Sequence, residues 1–342
     1  MENIKRENTN TNQENFVLDQ LKEKYRSLLT KYNCHGFSYY DSSNELFVKP
    51  LYIGNVHENS IYEAASLTKV MFAYLVLRLS LDGVIDLDTP LINYSEDYYA
   101  SSDQRFKKIT ATHILSHTTG LSNWPKTEME KADLFLHFNP GSNHLYSGMG
   151  FQLLQEVIQK ITNKSIIDLF DEYIFKPFEL TSSSLVYLDS MKNYLTLSYN
   201  KQGNKHKDRR IITTPNVAYS LHTTIKDYIK FVNNVFINGD EKVKDLFKKK
   251  IIKINDNLSW NLGIASINVQ KRELLWQWGD NGNFKNLFIY DCNNNQFKLF
   301  FSNSYNGLDL IFDILNDEIK DYTNPENKKA IDAIIDYISI VE

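Results

Sequence analysis

Four strand-like runs follow one another in the last third of the chain, and they constrain the fold more than any other feature. Each run is rich in β-branched and aromatic residues and ends near a polar or glycine-bearing turn. Consecutive runs of this kind predict a sheet. The runs are Ser259–Val269, Glu273–Trp278, Asn283–Asp291 and Gln296–Ser302.

Two further strand-like runs, His35–Tyr40 and Leu46–Ile53, lie near the other end of the chain, after an amphipathic helix predicted over Phe16–Tyr32. The remaining periodic segments have helical spacing. They are Ser66–Leu81, Ala111–Ser116, Gly150–Thr162, Ile166–Phe175, Thr223–Asn238, Glu241–Lys250, Leu308–Tyr322 and Asn327–Ile340. The predicted organisation is therefore a sheet with strands from both chain ends and a helical section inserted between them.

This organisation predicts a sheet domain built from residues 15–81 and 216–342, with a mainly helical domain inserted at 82–215. The first 14 residues are rich in Asn, Glu and Thr, and we expect them to form a mobile tail. The polar segment Lys201–Arg210 predicts a solvated loop rather than a binding patch.

Charge and cysteine content limit the classes of partner. The 38 basic and 42 acidic side chains nearly balance, so the charge does not favour nucleic acid as a binding partner. We expect a small or peptide-like substrate. The sequence has no run of about 18 apolar residues, which predicts no membrane span. Cys34 and Cys292 are too few for a disulfide framework and lack metal-ligand spacing, although one bridge stays compatible with the sequence.

The N-terminal residues contain no apolar core of the kind that a secretory signal requires. As given, the sequence predicts a cytoplasmic protein, whereas a chain from which a signal had been removed would be periplasmic or secreted. The oligomeric state stays open.

A serine and a lysine lie one turn apart at the start of the most apolar predicted helix. Residues three apart share a helix face, so Ser66 and Lys69 can meet. A serine hydroxyl needs a neighbouring base, and lysine can act as one if burial and the helix N-terminus lower its pKa. A second Ser-x-x-Lys, Ser198 to Lys201, lies in a polar segment with no apolar helix to desolvate its lysine, so we reject it.

Three segments in this order resemble a known superfamily: "EAASLTKVMFAYLVLRLSLDGVIDLDTPL", "ITATHILSHTTGLSNW" and "YSGMGFQLLQEVIQKITNKSIIDLFDEYIFKPFEL". They resemble the serine beta-lactamase and penicillin-binding-protein superfamily, and within it the branch of class C beta-lactamases, D,D-carboxypeptidases and esterases. The resemblance covers residues 35 to 305. It implies an α+β fold, an antiparallel sheet flanked by helices with a helical domain inserted, which agrees with the organisation predicted above.

The resemblance implies roles for the first two motifs. Ser66 becomes the acyl-forming nucleophile and Lys69 its partner. The second motif, Tyr-x-Asn in this branch, falls on Tyr146-Ser147-Gly148, where Tyr146 would exchange the proton of Ser66 and of the leaving group, as phenolate or through Lys69. Gly148 lacks the amide that would hold the acyl-amide of a peptide or beta-lactam. The sole Tyr-x-Asn, Tyr322 to Asn324, comes after the third motif, in the wrong order.

The third motif, Lys/His-Thr/Ser-Gly on a strand edge, has two possible registers. It falls on Gln277-Trp278-Gly279 or on Trp278-Gly279-Asp280, and we prefer the second, which resembles a Trp-Gly-Gly form found in esterases of the branch. Neither Gln277 nor Trp278 can form an ion pair with a substrate carboxylate. An apolar wall at Trp278 would suit the acyl group of an ester or amide.

The family's oxyanion hole pairs the N–H of the nucleophile with an N–H of this strand. The resemblance therefore implies Ser66 and Asn281 as donors, or Asp280 in the other register. His113 and His117, four residues apart, raise the alternative of a metal site, but no third ligand lies nearby and we expect both to be structural.

These motifs predict a cofactor-independent serine acyl hydrolase or acyl transferase that works through an acyl-enzyme on Ser66, with a small ester or amide as substrate. One alternative is a degenerate relative that binds a ligand or partner without turnover. Another is a beta-lactamase or D,D-carboxypeptidase. The survival of Ser66, Lys69 and Tyr146 together favours an enzyme.

Overall fold

The computed structural model describes residues 2–95, 101–127, 134–206, 211–269, 272–320 and 325–341. Ten strands form two sheets within these ranges. The strands are β1 Gly36–Asp41, β2 Leu51–Gly54, β3 Tyr62–Glu63, β4 His222–Thr223, β5 Ile252–Lys253, β6 Leu258–Trp260, β7 Ala265–Val269, β8 Arg272–Asp280, β9 Lys285–Asp291 and β10 Gln296–Ser302. The large sheet has the order β2-β1-β10-β9-β8-β7-β6-β5, and the small one pairs β3 with β4.

Every pair of neighbouring strands is antiparallel, and β1 joins the two ends of the chain by pairing with β10. The run predicted as one strand over Ser259–Val269 is two strands, β6 and β7. Gly263 separates them, with φ at 84°, where a side chain is strained. A Cβ at Gly263 would also lie 2.2 Å from Ala73 Cβ, so the glycine lets a helix pack closely on this turn.

The helices surround this sheet. They are α1 Glu2–Lys31, α2 Thr68–Leu81, α3 Ala111–Leu115, α4 Gly148–Thr162, α5 Ile166–Phe170, α6 Ile225–Val232, α7 Glu241–Lys248, α8 Gly307–Lys320 and α9 Pro325–Val341. The first helix begins at Glu2 rather than at Phe16, so residues 2–14 of the predicted tail are helical. Their mobility and the domain boundaries at residues 82 and 216 stay predictions.

The two faces of the large sheet are covered by two separate apolar cores. Side chains on a strand alternate between faces, so Leu275 lies in one core and Trp276 in the other. The first core lies between the sheet and helices α2 and α4 to α7, and the second lies under α1, α8 and α9. This arrangement leaves β8 between the two cores.

Helix α2 is buried on nearly every side, as its almost uninterrupted apolar sequence predicts. It ends at Asp82-Gly83, where Gly83 adopts φ of 75° and its N–H donates to Ser80 O at 3.0 Å. A buried helix of this kind gives its N-terminal turn a rigid position.

The described helices include none that is both long and apolar enough to cross a membrane. Cys34 is buried, Cys292 is partly buried, and both are free thiols rather than one bridge. Tyr322 to Asn324, the misplaced Tyr-x-Asn, lies outside the described residues.

Candidate active site

The turn that carries Ser66 is fixed between the small sheet and helix α2. Ser66 is partly exposed in a single helical turn, Ala65–Leu67, that leads directly into α2. Ala65 has φ of 48°, a left-handed conformation that is uncommon for a residue with a side chain. Thr68 Oγ1 donates to Ala65 O at 2.6 Å, and Ala64 N donates to Leu221 O at 2.8 Å. These bonds hold the strained turn, and strain of this kind is typical of functional sites.

Lys69 is the buried partner of Ser66, as the helical spacing predicts. Its side chain is 2% exposed, and Nζ lies 3.1 Å from Ser66 Oγ and 2.7 Å from the carbonyl oxygen of Ala218. Burial removes water from the ammonium group and lowers the pKa of Lys69 to about 7. A neutral amine therefore forms near neutral pH, and it can accept the proton of Ser66.

Tyr146 joins the same hydrogen-bond network. Its hydroxyl accepts from Gln277 Nε2 at 3.2 Å, and it lies near enough to the side chain of Ser66 to interact with it. Burial raises the pKa of Tyr146 well above its ordinary value, although the interactions with Ser66 and Gln277 oppose the rise. The hydroxyl is therefore protonated at neutral pH, which favours a proton donor over a phenolate base.

The contact between Gln277 and Tyr146 favours the motif register Gln277-Trp278-Gly279 over Trp278-Gly279-Asp280, the register predicted from the sequence. Gln277 Nε2 also donates to Trp278 O at 2.9 Å, and because a carbonyl can only accept, this bond identifies Nε2 as the donor atom. Gln277 is fully buried. A neutral amide thus holds the position next to Tyr146 where the family's motif has a cation.

Trp278 does not form the apolar wall expected from the sequence. It points to the opposite face of β8 from Gln277, is 3% exposed, and packs against Tyr337 of α9 with ring centroids 5.7 Å apart. Its ring also lies 5.0 Å from that of Tyr146. Trp278 therefore supports Tyr146 from within the second core instead of facing a substrate.

The backbone of β8 supplies a candidate oxyanion donor. In an antiparallel pair, alternate residues direct their N–H groups toward the partner strand. Asn281 N donates to Phe284 O at 3.4 Å within the β8–β9 turn, so the N–H of Asn281 points toward β9. Trp278 and Asp280 lie an odd number of residues from Asn281, so their N–H groups point to the opposite edge of β8. Strand β7 covers that edge only as far as Trp276. Asp280, rather than Asn281, is therefore the candidate partner of the Ser66 N–H.

Gly279 lets β8 approach the nucleophile turn. A Cβ at Gly279 would lie 2.3 Å from Ala64 O, which no side chain could tolerate. The side chain of Asn286 on β9 donates to Glu63 O at 3.0 Å, and that of Asn281 donates to the Glu63 carboxylate. The strand and the turn are thus in direct contact.

Gly148 begins helix α4 and is backed by an aromatic ring. A Cβ at this position would lie 2.4 Å from Trp124 Cζ2. The indole therefore fills the space into which a side chain at residue 148 would extend. Trp124 was not predicted from the sequence, because nothing in its loop sequence indicates which element the ring contacts.

The two histidines have structural contacts. His113 Nδ1 accepts from Thr110 N at 3.2 Å and closes a capping box at the start of α3. His117 Nδ1 accepts from Ser147 N at 3.0 Å, and its ring lies 4.2 Å from that of Tyr146. Within the described ranges, no three His, Cys, Asp or Glu side chains are placed to hold a metal ion.

Asp280 and Lys285 form an ion pair at 2.5 Å on the same face as Trp278. This pairing occupies the ammonium group of Lys285, which lies at the start of the neighbouring strand β9. In the rejected second Ser-x-x-Lys, Lys201 lies in a turn and is exposed.

Comparisons with known proteins bear on this geometry. The model of a protein family described as Beta-lactamase matches residues 21–284. Protein flp of Staphylococcus aureus strain N315 is 23% identical over 253 residues, which cover 68% of this chain and 47% of that protein. The chain thus spans about half the length of the curated relatives it matches.

Two solved structures show the same fold. A class C beta-lactamase is 17% identical with a TM-score of 0.72, covering 87% of this chain and 97% of that one. The beta-lactamase/D-alanine carboxypeptidase of Pseudomonas syringae is 15% identical with a TM-score of 0.73, covering 90% and 100%. The α+β, beta-lactamase/transpeptidase-like fold predicted from the sequence is confirmed.

Proposed function

The chain belongs to the Beta-lactamase family, and from this premise we propose that it is a serine hydrolase that forms an acyl-enzyme on Ser66. The observation that carries the proposal is a network in which Lys69 Nζ lies 3.1 Å from Ser66 Oγ. The hydroxyl of Tyr146 interacts with Ser66 in the same network and accepts a hydrogen bond from Gln277. Such a network contains a nucleophile, a base and an acid within hydrogen-bond reach of one another.

In the proposed acylation, neutral Lys69 accepts the proton of Ser66 as Oγ attacks the substrate carbonyl carbon. The N–H groups of Ser66 and Asp280 stabilise the negative charge that develops on the carbonyl oxygen. The bond to the leaving group then breaks, and Tyr146 donates its proton to that group. The proton held by Lys69 replaces the one given by Tyr146, so the network is neutral again.

Acyl transfer from Ser66 completes the reaction. Attack by water on the Ser66 ester gives hydrolysis, and attack by an alcohol or amine gives transfer to that group. In both cases the attacking group loses one proton to the network and Ser66 regains one.

The neutral side chain of Gln277 supports small esters or amides without a carboxylate as the substrate class. A beta-lactam carries a carboxylate, and a charge-assisted hydrogen bond to such a group is worth roughly 1.5–3 kcal/mol. Gln277 and Trp278 cannot supply that charge, and Lys285 is paired with Asp280. We therefore expect p-nitrophenyl butyrate to be turned over with a higher kcat/KM than nitrocefin.

A degenerate binding protein is the competing proposal, since Gly148 and Gln277 depart from the family's motifs. Such a protein would gain nothing from a strained nucleophile turn or from a buried lysine beside Ser66. These two features favour an enzyme.

A labelling experiment tests the proposal. A fluorophosphonate probe should add to Ser66 in the intact protein, as read by mass spectrometry, and Ser66→Ala should abolish both this adduct and hydrolysis of p-nitrophenyl butyrate. The matched control is Ser198→Ala, which alters the serine of the other Ser-x-x-Lys and should leave both unchanged. Activity of Ser66→Ala above about 1% of the unmodified protein would place the nucleophile elsewhere.

A further inference from the structure

A hydrogen bond joins the C-terminal helix α9 to the segment that carries Tyr146. His144 Nε2 and the hydroxyl oxygen of Tyr337 lie 2.7 Å apart, and His144 Nδ1 lies 3.3 Å from the carbonyl oxygen of Ser116. The two bonded residues, His144 and Tyr337, are 193 positions apart in the sequence. The match to the family model ends at residue 284, so Tyr337 lies outside the part of the chain that the family model matches.

The direction of this bond follows from the other partner of His144. A carbonyl oxygen can only accept, so His144 Nδ1 carries a proton and donates it to Ser116 O. Burial lowers the pKa of His144 to about 4, so the ring is neutral near pH 7 and its Nε2 carries no proton. Tyr337 is therefore the donor, and the ring of His144 is held by a hydrogen bond at each of its nitrogen atoms.

Aromatic packing gives Tyr337 a second connection to Tyr146. The ring of His144 stacks on that of Trp260, with centroids 5.1 Å apart. The ring of Tyr337 lies 5.6 Å from Trp260 and 5.7 Å from Trp278. The same two indoles lie 5.6 Å and 5.0 Å from the ring of Tyr146. Tyr337 is thus connected to Tyr146 through the hydrogen bond to His144 and through two indole rings.

The backbone on both sides of Tyr146 is fixed by one residue of α3's C-terminal turn. Leu145 N donates to His117 O at 2.8 Å, and Ser147 N donates to His117 Nδ1 at 3.0 Å. Only Leu145 separates His144 from Tyr146. The position of His144 therefore determines where the chain enters the segment that holds the proposed proton donor.

We propose that Tyr337 is a positioning residue for Tyr146 and that it acts through His144. The inference rests on the proposed hydrolase function, in which Tyr146 donates a proton to the leaving group. It makes helix α9 part of the machinery for that step. Tyr337 is 6% exposed, so it acts from within the second core rather than on the substrate.

The physical reason is the geometry that proton transfer requires. A reacting group misplaced by about 1 Å can cost on the order of 100-fold in rate. Without the hydroxyl of Tyr337, Nε2 of His144 would be a buried acceptor with no donor, which is unfavourable. The ring of His144 should then turn and shift Tyr146. A proton donor matters more as the leaving group becomes more basic, so this shift should affect poor leaving groups most.

The first test compares two esters that share an acyl group. In Tyr337→Phe, which keeps the ring contacts and removes only the hydrogen bond, kcat/KM for phenyl butyrate should fall by about tenfold. For p-nitrophenyl butyrate, whose leaving group is much less basic, kcat/KM should stay within about threefold. Loss of folded protein would lower both values equally, so the ratio of the two kcat/KM values reports proton donation. Tyr146→Phe sets the upper limit of the change in this ratio.

The matched control is Tyr290→Phe. Tyr290 is 3% exposed in the first core, and its hydroxyl donates to Asn295 Oδ1 at 2.8 Å, so this variant also removes one buried tyrosine hydroxyl. It should leave the ratio for the two esters unchanged. An unchanged ratio in Tyr337→Phe, or an equal change in both tyrosine variants, overturns the proposal.

A double-mutant cycle tests whether Tyr337 acts through His144. His144→Phe keeps an aromatic ring against Trp260 and removes both hydrogen bonds of the imidazole. In this background, Tyr337→Phe should change the ester ratio by less than about twofold, because the bond it removes is already absent. An equal effect of Tyr337→Phe in both backgrounds would show that His144 does not carry it and would overturn the proposal.

These outcomes are distinct from failure of the proposed hydrolase. If the unmodified protein hydrolyses neither ester and Ser66 takes no fluorophosphonate, the proposed function itself fails. If Ser66 is labelled and both esters are hydrolysed while their ratio ignores Tyr337, only the positioning role fails. Hydrolysis of the nitrophenyl ester without any hydrolysis of the phenyl ester would mean that no proton donor works, and the positioning role fails in that case too.

Discussion

Among single side chains, burial decides which group holds the reactive proton. Lys69 and Tyr146 are both almost inaccessible to solvent, and loss of water disfavours the charged form of each. The pKa of Lys69 falls to about 7, while that of Tyr146 rises above its ordinary value. A cation beside Tyr146 would oppose the second shift, but the neutral amide of Gln277 cannot do so to the same extent. Burial thus supports the proposed roles of Lys69 as the base and Tyr146 as the acid.

The base assignment predicts a specific pH dependence. Because the proposed acylation requires neutral Lys69, kcat/KM for p-nitrophenyl butyrate should rise with pH through about 7 and then level off. Lys69→Arg should be inactive at every pH between 5 and 9, since a guanidinium stays protonated. Tyr146→Phe serves for comparison: it should lose most of the rate and keep the ring packing. An active Lys69→Arg variant would show that residue 69 transfers no proton.

Among secondary structure elements, the approach of β8 to the Ser66 turn determines the geometry of the site. Gly279 allows this approach, and β7 ends early enough to leave the Asp280 N–H on an uncovered edge. The two proposed oxyanion donors therefore come from elements that are far apart in sequence and that touch at Gly279.

Gly279→Ala should separate these elements. The added Cβ would lie 2.3 Å from Ala64 O, so the strand or the turn must shift and misplace one donor. Loss of one oxyanion donor typically costs 10²- to 10³-fold in kcat, and we expect a fall of about this size for p-nitrophenyl butyrate.

The control is Gly150→Ala in helix α4, where an added Cβ has 3.6 Å to its nearest neighbour and no strain arises. This variant should keep kcat within a few-fold of the unmodified protein. Equal kcat values for Gly279→Ala and the unmodified protein would show that β8 contributes no donor to the oxyanion hole.

The elements also show what sequence alone can predict. Helical spacing correctly predicted the contact between Ser66 and Lys69, because a contact within one helical turn depends only on local geometry. The register of the third motif depends on which residue of β8 hydrogen-bonds the hydroxyl of Tyr146, and two adjacent residues of an alternating strand offer no local sign of this. The contact of Trp124 with Gly148 could not be predicted for the same reason, since it joins a loop to a helix terminus that is distant in sequence.

Across the whole molecule, the buried lysine links folding to pH. The free chain binds a proton on lysine up to about pH 10.4, but the folded protein releases it from Lys69 above about pH 7. Between these values the unfolded state binds more protons, so the contribution of Lys69 to the free energy of unfolding rises with pH. Below about pH 7 both states hold the proton, and the cost of burying the charge is present in full.

Lys69→Met should remove this dependence. The free energy of unfolding of the unmodified protein minus that of Lys69→Met should increase from pH 7 to pH 9, with a slope approaching about 1.4 kcal/mol per pH unit. Taking the difference cancels the opposite effect of the buried thiols of Cys34 and Cys292, whose raised pKa values lower stability at high pH in both proteins. Denaturant unfolding of both proteins at half-unit pH steps measures this difference in the free energy of unfolding. A difference that stays constant over this range would mean that Lys69 keeps its ordinary pKa, and the base would then have to be another group.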